Sequence, residues 1–96
     1  MNEVVSIELV NKYLQLTDRA RQKATSLVSE GSHEESLLKD MMSMSDDYRS
    51  DAEHFRDNGD LVRAFGAINY AHAWIDAAVR IGFLDGHGDD ELFTLP

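Results

Sequence analysis

The sequence holds no cysteine, so disulfides and thiolate metal sites are excluded from the outset. It has three lysines against eleven aspartates, within a formal net charge of -9. Contacts with a nucleic-acid backbone draw their free energy from clustered Lys and Arg, which this chain lacks, and no nucleic-acid partner is expected. Nor does any apolar run approach the roughly 20 residues that a membrane span needs. The opening stretch, MNEVVSIELVNKYLQ, carries acidic residues where a signal peptide carries basic ones. Together these absences predict a cytoplasmic protein that does not engage a membrane. The Lys-poor, Asp-rich balance fits two settings: a salty cytoplasm, where acidic surfaces keep protein solvated, or an ordinary acidic domain.

Strand-like alternation, a glycine-rich phosphate loop and low-complexity tracts are absent as well. What remains is helical periodicity in a chain of 96 residues, a length that suits one domain. Ile7, Val10, Leu14, Thr17, Ala24 and Val28 make one row, and Leu9, Tyr13, Leu16, Ala20 and Leu27 the row beside it. Gly31 then offers the left-handed conformation that ends a helix. Ser32 to Glu35 has capping-box spacing, so a second helix is expected almost at once. Leu37, Met41, Met44, Tyr48, Ala52 and Phe55 give that helix a narrower stripe. Asn58 and Gly59 close it, and Asp60 caps a third helix that runs to about Ile81, with Gly82 just past its end and Phe83 as the apolar contact of that cap.

Turns this short force consecutive helices to pack antiparallel. The expected fold is all-α: an up-down-up antiparallel three-helix bundle over residues 1–84, with helices of about 22 to 26 residues each. A short acidic C-terminal tail, residues 85–96, follows. Its Leu92, Phe93 and Leu95 either dock on the bundle or stay mobile.

The third helix is unusual. Leu61, Ala64, Ile68, Ala71, Ile75, Ala78 and Val79 form its core stripe, yet the opposite face is also uncharged: Val62, Gly66, Ala73 and Ala77, with Asn69 and Tyr70 beside them. A surface helix normally fills that side with Lys and Glu. Two readings stand. Alanine is a strong helix former that needs no partner on a wet surface. Alternatively, Val62, Gly66, Tyr70, Ala73 and Ala77 meet another helix closely, in a homo-oligomer or a protein partner.

Residues Tyr48 to Asp85 resemble the archaeal domain-of-unknown-function family 357. The resemblance rests on Tyr48, Asp51, Ala52, Phe55, Gly59, Asp60, Ala64, Ile68, Tyr70, Ala71, Asp76, Ala77 and Gly82, and extends to the opening helix through VNKYLQLTDRA. It implies a compact three-helix bundle in an archaeal cytoplasm, and no established activity. Ala52, Phe55, Gly59, Ala64, Ile68 and Ala71 also have spacings similar to a tetratricopeptide repeat, but a lone unit cannot form a solenoid. Arg49 and His54 have the spacing of the Arg and His of HEPN domains, which include ribonucleases. That similarity defines an alternative function, a nucleic-acid-processing enzyme using Arg49 and His54.

Other candidate chemistry is sparse. His72 and Asp76 stand four apart, so a carboxylate there can orient the imidazole; a histidine held structurally by a local hydrogen bond is the competing account. Asp47, Asp51 and His54 share one edge of the second helix without the further ligands that a metal site draws from a second helix. Met41, Met42 and Met44 are expected to pack rather than bind a soft metal. No cofactor, no metal and no catalysis are expected. The leading expectation is a small non-catalytic protein that self-associates or docks a protein partner through its third helix.

Overall fold

A computed structural model describes residues 3–96 of the chain; Met1 and Asn2, which the expected bundle of 1–84 includes, lie outside the described residues. Three helices run up, down and up: α1 (Ile7–Lys23), α2 (His33–Asp57) and α3 (Leu61–Arg80). Two short strands, β1 (Thr25–Ser26) and β2 (Leu84–Asp85), pair antiparallel, Thr25 opposite Asp85 and Ser26 opposite Leu84. The bundle measures 42 × 24 × 17 Å. Among the described residues no helix is long and apolar enough to cross a membrane.

The helix boundaries follow from local chemistry. Ser32 Oγ accepts from the Glu35 amide at 3.0 Å, while the Glu35 carboxylate accepts from the Gly31 amide at 3.1 Å, the reciprocal pairing of a capping box. The Gly31 amide, and the Lys39 ammonium after it, hold the Glu35 carboxyl below its usual range. Between α2 and α3, Gly59 takes a φ of 78°, and Asp60 N donates to Phe55 O at 2.8 Å. That closes α2 in a left-handed cap. Asp60 then accepts from the Arg63 amide at 3.2 Å and opens α3. Gly82, at φ 83°, ends α3 in the same way, with Phe83 N bonded to Ala78 O at 2.9 Å.

The core stripe of α3 is a heptad-like run, Ala64, Ile68, Ala71, Ile75 and Ala78, all at 0% exposure. Alanines at alternate positions let α2 approach closely, and Ser45 Oγ donates across that seam to Ala71 O at 2.9 Å. α3 is the central helix: α1 and α2 both pack on it and touch each other far less. Polar side chains arch between α1 and α2 instead. Arg56 donates to Asn11, Arg49 reaches Asp18 through two hydrogen bonds of 2.8 and 2.9 Å, and Arg21 reaches Asp46 through two of 3.0 and 3.2 Å. Each step along α1 in this series matches an equal step backward along α2. The ladder therefore fixes one antiparallel register.

Several expectations need correction. α1 is 17 residues long and stops at Lys23, well before Gly31, so the α1–α2 connection is not a minimal turn. Ala24 turns extended, β1 pairs with β2, and Leu27 N donates to Phe83 O at 2.9 Å. Leu27, expected in a core row, is 59% exposed as a result. The inward face of α2 carries Leu38, Met42, Ser45 and Ala52, whereas Leu37 is exposed and Met41, Met44, Tyr48 and Phe55 are half-buried. The shift has a physical reason: Ser45 has a carbonyl to bond and so sits in the core, while Arg49, half-buried at its edge, has carboxylates to pair. The tail packs on the bundle, with Leu92 and Phe93 buried against Ala20, Leu38, Ile75 and Val79.

Candidate functional site

The outer face of α3 lies opposite the buried stripe, as the helical period requires. Val62, Gly66, Tyr70, Ala73 and Ala77 are all exposed, Val62 at 72% and Tyr70 at 47%. Gly66 is the informative residue. A Cβ built on it meets nothing within 4 Å, and its φ is not positive. Mid-helix glycine destabilises by roughly 1 kcal/mol relative to alanine, and nothing among the described residues fills the space a side chain would take here.

Tyr70 stands as a ridge between two hollows. Tyr48, from α2, meets its ring edge-on at 4.4 Å, and Trp74 lies at 6.2 Å on the other side. The first hollow, of about 390 Å³, runs over Gly66 and Ala67 between Phe55 and Tyr70. The second, of about 230 Å³, lies between Tyr70 and Trp74 over Ala73 and Ala77. Arg63 and Asp51 also line the first hollow, with the Arg63 guanidinium 3.4 Å from Asp60 and 5.9 Å from the centre of the Phe55 ring. The Trp74 indole N–H is buried without a partner.

His72 and Asp76 do not form the pair that their spacing suggested. His72 Nε2 lies 2.7 Å from Leu92 O; a carbonyl only accepts, so Nε2 carries the proton there. Nδ1 meets the Thr17 hydroxyl at 3.0 Å. Asp76 accepts from the Thr94 amide at 2.6 Å and from its hydroxyl at 3.0 Å. One turn further, Arg80 donates to Leu95 O at 2.9 Å. The three side chains form one edge of α3 that grips the tail. Lys23 adds a fourth grip on Asp89 at 2.8 Å. That ammonium, helped by the Leu92 and Glu91 amides, holds the Asp89 carboxyl below its usual range. Sequence reasoning missed Thr94 and Arg80, whose roles depend on where the tail folds back.

Arg49 and His54 are not brought together as a catalytic pair. Arg49 is committed to Asp18 and also pairs with Glu53, and Asp18 raises the hold of its guanidinium on the proton. His54 is exposed and bonds Asn58 at 3.2 Å. Asp47, Asp51 and His54 stay apart: among the described residues no three His, Cys, Asp or Glu side chains gather closely enough to hold a metal ion. Met42 is buried, with Met41 and Met44 half-buried beside it.

A family model described as "Protein of unknown function (DUF357)" matches residues 12–84, which takes in α1 from Lys12 onward and the whole of α2, α3 and the loops between them. No curated protein and no solved structure matches the chain.

Proposed function

We propose, for a chain that belongs to the DUF357 family, that it is a non-catalytic self-association module of the cytoplasm in which two copies pair through the outer faces of α3. The observation that carries this reading is Gly66: a helix-weakening residue, open to solvent, on a face whose charge is confined to Arg63 and Asp51 at its rim. Glycine at such a point lets a second helix approach closely.

A second copy fits better than an unrelated partner on two grounds. With a net charge of -9, copies repel over most of their surface, and the α3 face is where that repulsion is least. A ridge beside a hollow is also self-complementary under two-fold symmetry: Tyr70 of each copy can enter the hollow over Gly66 of the other. The alternative, a HEPN-like nuclease, draws no support from a guanidinium already bound to two carboxylates.

Light scattering over a range of concentrations tests the reading, with circular dichroism to report helicity. Wild type is expected to dimerise, and Ala73→Glu to be monomeric with unchanged helix content, because the charge would be buried unpaired at a tight contact. A wild type that stays monomeric at every concentration refutes the proposal.

A further inference from the structure

The C-terminal tail is held as a ligand is held. His72, Asp76 and Arg80, at successive four-residue steps along one edge of α3, address Leu92 O, the Thr94 amide and hydroxyl, and Leu95 O in turn. Three of these contacts read main chain. The Thr94 hydroxyl, the buried Leu92 and Phe93 side chains, and the Lys23 contact with Asp89 supply selectivity for sequence. The groove and its occupant also differ in origin. His72, Ile75, Asp76, Val79 and Arg80 lie inside the region that matches the family model, residues 12–84, whereas everything that fills the groove lies beyond it.

A hinge joins the two. His87 and Gly88 both have positive φ, 56° and 71°, so the chain reverses through two consecutive left-handed residues, one of them not glycine. Straightening residues 86–88 takes His87 out of a conformation that L-residues rarely adopt. It also carries the tail away from its own bundle.

We infer that the groove between α1 and α3 is a peptide-binding groove, selective for an acidic-x-x-Leu-Phe-Thr-Leu segment, and that it takes the tail of a second copy in exchange for its own. The second copy is the occupant that the energetics favour. Its tail restores the groove contacts of residues 89–95, so exchange is opposed by the entropy of association and by loss of the hinge bonds Thr25–His87, His87–Asp85 and Asp89–Gly86, and is assisted by relief at His87. A foreign peptide would have to outcompete a tethered tail whose effective concentration is on the order of millimolar. Exchange uses the edge of α3 that borders the Gly66 face, where Ala73 shares a hollow with His72 and Asp76, and does not require pairing through Gly66.

Because the chain has no cysteine, single introduced thiols report the exchange cleanly. Full-length Asp76→Cys and Thr94→Cys chains are mixed in a glutathione redox buffer, with each variant alone as control. The mixture is expected to give a disulfide-linked dimer absent from both controls. Its yield should rise severalfold over a tenfold increase in concentration and fall at least tenfold with excess synthetic peptide of residues 86–96. The same cross-link should persist in a Gly66→Glu background, whose added charge points into open space away from His72 and Asp76; its loss there would overturn independent exchange. Where Asp76→Cys disturbs folding, sedimentation equilibrium of the Gly66→Glu chain gives a second readout: a dimer that the 86–96 peptide dissolves supports exchange, and a monomer at every concentration refutes it. A mixture that stays monomeric at all concentrations, while the double variant closes its disulfide within one chain, shows that the tail is held only in cis and refutes the inference.

Discussion

Gly66 and Asp60 show how differently single residues act within one helix. Asp60 serves the monomer: its carboxylate satisfies the Arg63 amide, which would otherwise be an orphan donor of the first turn. Asp60→Ala should therefore lower unfolding free energy by about 0.5 to 2 kcal/mol, read from urea titration. Gly86 serves the tail. A Cβ there would stand 2.9 Å from Phe93 Cδ2 and 3.1 Å from Leu95 Cδ2, closer than carbon atoms pack. Gly86→Ala should lower stability by about 1 to 3 kcal/mol through overpacking. Hydrogen exchange should locate the loss in residues 89–95, and uniform loosening of all three helices would contradict that account. These caps and spacings were partly legible: Gly59, Asp60 and Gly82 have local signatures, whereas Gly86 has none, because its constraint comes from side chains seven and nine residues away.

At the scale of elements, the sequence carried most where periodicity and caps agreed. The buried face of α3 matches its pattern of Ala and Ile nearly residue for residue. α2 was legible only to within one position, since Ser45 and Arg49 look like surface residues until Ala71 O and Asp18 are placed opposite them. The end of α1 was not legible, because β1 exists only through pairing with β2, nearly sixty residues later. Asp89 belongs to the same tertiary logic. Its carboxyl is depressed from a reference value of 3.8 by Lys23, Leu92 and Glu91, so its contribution to tail docking is fully present above that value. The contribution is lost as pH falls further, through the folded value. Amide exchange across residues 89–93 should accelerate below pH 3.8 relative to α3, and Asp89→Asn should remove that pH dependence. Equal acceleration in both variants would sink the assignment.

For the molecule as a whole, an acidic surface and a smooth stripe make opposite demands. Charge keeps copies apart, and the ladder from Asn11–Arg56 to Arg21–Asp46 spends six polar side chains on fixing how α1 meets α2. The outer face of α3 carries charge only at its rim, at Arg63 and the neighbouring Asp51, and Tyr70 alone of its five residues is met by a ring from α2. The candidate face was legible in the sequence as an absence of charge. Its relief, with Tyr70 set between two hollows, was not, since it depends on Tyr48 and Phe55 arriving from α2. The most direct measurement is sedimentation equilibrium of wild type and Gly66→Ala, paired with urea unfolding at concentrations where each is monomeric. The account predicts effects of opposite sign: the monomer gains up to about 1 kcal/mol from the better helix former, while the dimer weakens because the added methyl holds the helices apart. A variant that is more stable as a monomer and associates as tightly as wild type would contradict it.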